Sequence, residues 1–150
     1  MGVEDEEFHP YGWLPAVGGV AILRGASAQG KALPPLVNIS AQITCCHAGP
    51  VVLFPKQTKV MVGGSPALCA GDVAGNPTTC PVPPSPASKP CTTSTVLPVP
   101  GASISTKVMI MGKPAMLGNP SVPGITDGAP VPCPTLMVMF PGQVQVIATS

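Results

Sequence analysis

Proline recurs too often along this chain for helices of ordinary length, because each proline removes a backbone N–H and crowds the preceding turn. There are 22 prolines and 17 glycines in 150 residues. Low-complexity sequences reach such a share, but disordered chains are usually polar and highly charged. Here 45% of residues are hydrophobic, 9% are charged and the mean hydropathy is +0.41. The sequence therefore folds, and it folds from short strands. Runs rich in Val, Ile, Thr or Met, each bounded by Pro or Gly, fall at Leu36–Thr44, Val51–Phe54, Thr58–Val62, Thr106–Met111, Leu136–Phe140 and Val144–Ala148. Gln143-Val144-Gln145-Val146 alternates as a half-buried strand does. The expected class is all-β with almost no helix.

Two of these runs open an internal repeat. Thr58-Lys59-Val60-Met61-Val62-Gly63-Gly64-Ser65-Pro66-Ala67-Leu68 returns 48 residues later as Thr106-Lys107-Val108-Met109-Ile110-Met111-Gly112-Lys113-Pro114-Ala115-Met116, with seven of eleven positions identical. Each copy is a strand, then Gly-x-Pro, then a second short strand. Glycine permits the tight turn and proline fixes the exit direction. Two such units can pack as pseudo-symmetric faces of one object, and the segment around Leu36–Phe54 can supply a third.

The interior is small. The five aromatic residues are Phe8, Tyr11, Trp13, Phe54 and Phe140, and none lies between Pro55 and Met139. A chain without large aromatics in its middle has little core and needs staples or a partner. Four of the six acids crowd the start (Glu4, Asp5, Glu6 and Glu7), leaving Asp72 and Asp127 against seven scattered basic residues. Those cations neither cluster nor alternate with aromatics, so nucleic acid is not an expected partner. An acidic start is not a secretory signal, and Pro and Gly break every apolar run before it could span a bilayer. The expected setting is a cytosol, where thiols stay reduced. The organisation splits into an acidic, Gly/Ala-rich arm over 1–35 and a repeat-bearing domain over 36–150.

Six cysteines in a reducing compartment suggest metal ligands more than disulfides. Candidate ligands are Cys45, Cys46, His47, Cys69, Cys80, Cys91 and Cys133. No CxxC occurs, so spacing alone selects no set. Disulfides formed after export, such as Cys80–Cys91, are the alternative. Cys69 reads as a small apolar residue on a strand, and His9 as a surface residue.

No enzyme is expected. Asp72 and Asp127 sit in Gly-Asp and Asp-Gly turns, where aspartates usually bond their own backbone. Cys46 and His47 are adjacent, whereas catalytic partners converge in space rather than in sequence. No phosphate loop, HExxH or GxSxG occurs. The methionines of the strand runs read as packing residues that fill irregular space.

The repeat carries a family resemblance. Gly64-Ser65-Pro66-Ala67, continuing through Leu68-Cys69-Ala70 to Gly71-Asp72, and Gly112-Lys113-Pro114-Ala115, continuing through Met116-Leu117, resemble the Pro-Ala-Ala-Arg motif of the PAAR and PAAR-like family. Cys46-His47-Ala48-Gly49-Pro50-Val51-Val52 looks like that family's His-Gly-Gly-Pro segment, and Cys80-Pro81 with Lys89-Pro90-Cys91 also resembles PAAR-like relatives. The resemblance covers about residues 38–147. The last two motif positions depart from Ala-Arg in both copies, which marks a divergent branch. It implies short strands wound into a tapering cone or prism, a wide base seated on a trimeric valine-glycine-repeat spike, one copy per trimer, and a zinc-pinned tip. It places such a protein in type VI secretion machines or phage-tail-like particles. There it is assembled in the bacterial cytoplasm and delivered outside or into a target cell, touching the target membrane only during injection. Family logic selects His47, Cys80, Cys91 and Cys133 as the zinc ligands, with Cys46 and Cys45 in reserve. The arm over 1–35 is then free to wrap the base or contact effector cargo. The competing expectation is a free-standing binding module stabilised by zinc or disulfides.

Overall fold

The computed structural model describes residues 33–148. The expected arm lies outside the described residues up to position 32, as do His9, Phe8, Tyr11 and Trp13. Among the described residues there is no helix. The strands are β1 (Gln42–Thr44), β2 (Met61–Val62), β3 (Ser65–Pro66), β4 (Asn76–Pro77), β5 (Thr93–Val96), β6 (Ile104–Ile110), β7 (Lys113–Met116), β8 (Ser121–Thr126) and β9 (Thr135–Phe140). The class is all-β.

Five strands form an antiparallel sheet in the order β1-β9-β8-β5-β4, which curls into a half-barrel. Its register pairs Ile43 with Val138, Val122 with Leu136 and Ser94 with Thr126. The inward residues Ile43, Val122, Leu136 and Val138 are buried with Val37, Leu68 and Met116 in one apolar cluster. β8 sits mid-sheet despite Pro123 and Gly124. A Cβ on Gly124 would lie 2.8 Å from Leu136 Cγ and 3.0 Å from Thr95 O, so glycine here lets neighbouring strands close in.

The repeat forms two hairpins, β2-β3 and β6-β7. Both turns place two successive residues at positive φ, Gly63 and Gly64 (60° and 80°) in one and Met111 and Gly112 (50° and 80°) in the other. That backbone twist matches paired strands and explains the Gly-rich turn.

A third hairpin-like unit closes the set, built from the two ends of the described chain. Pro35 pairs with Ile147 as Pro66 pairs with Met61 and Pro114 with Met109. The three units then bond in a cycle. Leu68 N–H donates to Val37 O (2.9 Å), Val37 N–H to Met116 O (3.1 Å) and Met116 N–H to Leu68 O (2.9 Å). A second cycle follows two residues on: Ile39 to Pro66 O (2.9 Å), Ala70 to Pro114 O (2.8 Å) and Gly118 to Pro35 O (2.8 Å). Isolated bridges obey the same rotation: Asn38–Ala67, Cys69–Ala115 and Leu117–Leu36. The result is a pseudo-three-fold prism whose apolar interior holds Leu36, Ala67 and Ala115 with Val62, Ile110 and Ala148.

Several expected strands are corrected. Gln143–Val146 forms no strand, because Gln143 turns inward as a cap. Its amide donates to Leu36 O (2.6 Å) and Val146 O (2.9 Å) and accepts from Val146 N–H (2.7 Å). Gln57 does the same in the first repeat, donating to Ala67 O (2.7 Å) and accepting from Val60 N–H (2.8 Å). Val51–Phe54 contributes one bridge, Val51 to Thr78, and Thr58–Val62 is a strand only at Met61–Val62. The third face is split between residues 35–37 and 144–148 instead of lying within Leu36–Phe54.

Candidate metal centre

The register brings several strand ends together at one end of the sheet, away from the prism. The C-terminal ends of β1, β4 and β8 lie beside the N-terminal ends of β5 and β9. Three connections leave from this edge: residues 45–50, 78–92 and 127–134. They carry every cysteine except Cys69. β9, at about 3.3 Å per residue, separates this edge from the prism by roughly 20 Å.

Cys45, His47, Cys91 and Cys133 converge so that their donor atoms all lie within 4.8 Å of one another. His47 Nδ1 is 3.6 Å from Cys91 Sγ and 3.7 Å from Cys133 Sγ, and the two sulfurs are 4.0 Å apart. Cys45, Cys91 and Cys133 are each 1% exposed, while His47 faces solvent. Three soft sulfurs and one imidazole make a donor set suited to a tetrahedral thiophilic ion. This cluster can hold a metal ion.

The loop 45–50 is set by its backbone. Cys45 N–H donates to Gly49 O (2.9 Å) and Ala48 N–H to Cys45 O (3.0 Å). Ala48 adopts φ 61°, a left-handed conformation that glycine adopts more readily. A Cβ on Gly49 would meet Cys80 Cα and Thr79 O at 2.7 Å, so this position admits only glycine without rearrangement. Gly128 is as tightly placed, 2.8 Å from Cys91 Sγ by the same measure.

The loop carrying Cys91 is tied to the loop carrying Cys133 by Asp127. Its carboxylate accepts from Thr92 N–H (2.7 Å), Thr93 N–H (2.8 Å), Lys89 Nζ (2.9 Å) and the Thr92 hydroxyl. Burial is the largest single influence and pushes the carboxyl up, but the hydrogen bonds from Thr92, Thr93 and Lys89 together outweigh it and hold the carboxyl well below the usual range. Thr126 joins the same two cysteines, accepting from Cys133 N–H (3.0 Å) and from Cys91 Sγ (3.2 Å). Asp72 is a turn aspartate that accepts from Cys69 N–H (2.9 Å) on the prism.

Of the expected ligands, His47, Cys91 and Cys133 are in the group of four, with Cys45 in the fourth place. Cys80 lies beside it, half-buried, its thiol hydrogen-bonded to Cys45 and Cys91. Burial pushes the Cys80 thiol up, but hydrogen bonds at Val82, Cys91 and Cys45 outweigh this and lower it. Burial raises the Cys91 thiol, against the Thr126 hydroxyl. Cys80 and Cys91 are free thiols, and Cys46 is instead disulfide-bonded to Cys133, their Cα atoms 5.7 Å apart. A sulfur in a disulfide offers no thiolate, so all four donors are available to an ion only when that bond is reduced. Cys69 is buried on the prism, remote from the cluster. The signal missed was strand alternation, which puts Cys45, two residues after the inward Ile43, on the inward face and Cys46 on the other.

No protein-family model, curated protein or solved structure matches this chain. Fold and site together define a small all-β protein with a cysteine/histidine cluster able to hold a metal ion.

Proposed function

We propose that this chain is a structural tip for the trimeric spike of a bacterial contractile injection machine, with zinc held by its Cys/His cluster. One observation carries the reading: the prism repeats one unit three times around an axis. Met61, Met109 and Ile147 occupy equivalent outward positions and are 53%, 55% and 55% exposed. Three matching apolar points around one axis suit three identical subunits, as a single chain seated on a trimer requires. The cluster fits the other end of the same object. A point with little core gains rigidity when loops distant in sequence are tied to one ion. The tapering shape and the piercing role follow from the PAAR-like resemblance.

The test is mixing with a trimeric valine-glycine-repeat spike from the same genome, followed by light scattering on the eluted complex. The expected result is one chain per trimer, lost when Met61, Met109 and Ile147 are all changed to Asp in a variant that still folds. No complex with the wild-type chain overturns the spike reading. Metal content after reducing purification is measured alongside, with about one zinc per chain expected. The Cys46–Cys133 bond favours a second reading, a free-standing binding module of an oxidising compartment. A monomer that ignores the spike and keeps that bond in its native setting supports it.

A further inference from the structure

Cys133 is needed by two arrangements that exclude each other. Its sulfur is bonded to Cys46, yet the same atom belongs to the four-donor group with Cys45, His47 and Cys91. Most backbone contacts around it are made without the Cys133 sulfur, the exception being Cys46 N–H, which reaches that sulfur at 3.3 Å. The 45–50 loop is closed by its own N–H bonds, and the 127–133 loop by Asp127 and Thr126. The Cys133 sulfur already lies within 4.8 Å of the other three donors while it is bonded to Cys46, so exchange between the two arrangements is a local event at the loops. Cys46 is exposed and Cys133 is buried, so an external reagent reaches Cys46 first.

We propose that this centre is a metal site switched by thiol–disulfide exchange. With both cysteines reduced, the Cys133 thiolate joins Cys45, His47 and Cys91 around one ion. Oxidation bonds Cys133 to Cys46, withdraws it as a ligand and weakens metal binding. The proposal rests on the metal-centre part of the reading above and not on the spike. The oxidant is a small-molecule disulfide. The Cys46 thiolate attacks one of its sulfurs and expels the first small thiolate. The Cys133 thiolate then attacks the Cys46 sulfur of the mixed disulfide and expels the second. The two cysteines lose two electrons, the reagent gains two, and the protons of the protein thiols end on the two released thiols. A dithiol reductant reverses both steps. Cys80 is the nearest substitute ligand, beside Cys45 and Cys91 but outside the group of four. The switch requires that it does not replace Cys133.

The test measures zinc affinity of the full chain by competition with a chromophoric chelator. One sample is reduced with a phosphine, one is oxidised with glutathione disulfide, and the bonds formed are mapped by peptide mass spectrometry. Removing a partner that merely orients a ligand costs about 10–100-fold in affinity, so withdrawing the ligand itself is expected to cost at least about 100-fold. Cys46→Ser is expected to bind zinc as the reduced chain does under both conditions. Equal affinity in wild-type chain carrying the mapped Cys46–Cys133 bond overturns the switch, and points to Cys80 if Cys80→Ser then abolishes binding. Equal loss in Cys46→Ser, or a mapped bond elsewhere, also overturns it. No zinc on the reduced, folded chain overturns the metal centre itself, a distinct result.

Discussion

The pseudo-symmetry of the prism can be tested by exchanging two residues. Asn38 and Cys69 occupy equivalent places in successive units. The Asn38 amide donates to Val62 O at 2.8 Å and accepts from Ser40 N–H at 2.9 Å. The Cys69 sulfur reaches only the matching carbonyl, Ile110 O, at 3.9 Å. Beside it lies a pocket of about 150 Å³ lined in part by Gln57, Asp72 and Lys113, and the Oδ1 of buried Asp72 has no partner. Cys69→Asn is expected to restore the bond to Ile110 O and to stabilise the fold by about 1 kcal/mol, the net worth of one ordinary hydrogen bond. Asn38→Cys is expected to do the reverse. It leaves Val62 O without its donor in a packed junction, at a cost of about 1–3 kcal/mol. Guanidinium denaturation with a shared m-value reads both variants. Shifts of the same sign in the two variants would refute the equivalence of the junctions.

Other consequences are as direct. Gly49→Ala forces a methyl against the Thr79 and Cys80 backbone and is expected to cost about 1–3 kcal/mol by denaturation, with weakened metal binding. Met111→Gly relieves a left-handed residue worth about 1–2 kcal/mol against about 0.4–1 kcal/mol of unfolded-state entropy, so the midpoint rises for a net gain of about 0.5–1 kcal/mol. Asp127 has a depressed folded pKa, so its contribution is complete above its ordinary value of 3.8 and fades as pH falls through the folded value. The stability gap between wild type and Asp127→Asn should therefore be constant from pH 5 upward, at about one level, and shrink below about pH 4. Reducing the Cys46–Cys133 bond opens a loop spanning 87 residues, expected to lower the stability of metal-free chain by about 4–5 kcal/mol; an unchanged denaturation midpoint refutes this.

The sequence made the fold class legible because proline excludes helices wherever it falls, independent of tertiary context. It made two of three prism units legible because each keeps strand, turn and second strand contiguous. The third could not be read: its two arms lie at 35–37 and 144–148, joined by an isolated bridge and with no Gly turn between them, and its only local marks are Pro35 and the capping Gln143. The segment 76–105 hid β4 and β5, since Thr93–Val96 is a short β-branched run set among prolines that local rules assign to loop. β8 was hidden for the opposite reason, because Pro123 and Gly124 argue against a central strand until the approach of Leu136 is known. The site was half legible. Cysteine count and the His47 context pointed to the right loops, but which sulfurs meet depends on strand register. Two adjacent residues, Cys45 and Cys46, face opposite ways and enter different bonds.

The two ends of this chain solve the same problem with different chemistry. A fold with almost no aromatic residues cannot rely on one large core. At the prism the solution is backbone: a cycle of N–H···O bonds runs through Val37, Leu68 and Met116 and ties the three units to one another. Roughly 20 Å away the strands give way to loops, and two of these share only a single bridge, Lys89 with Ala129. There the fixed point is the Cys46–Cys133 bond, and an ion at the cysteine/histidine cluster would be a second; both join positions far apart in sequence. The two staples use one cysteine in common. On the switch proposed above, that sharing would keep the end pinned in either redox condition, with the identity of the pin reporting which condition it is in.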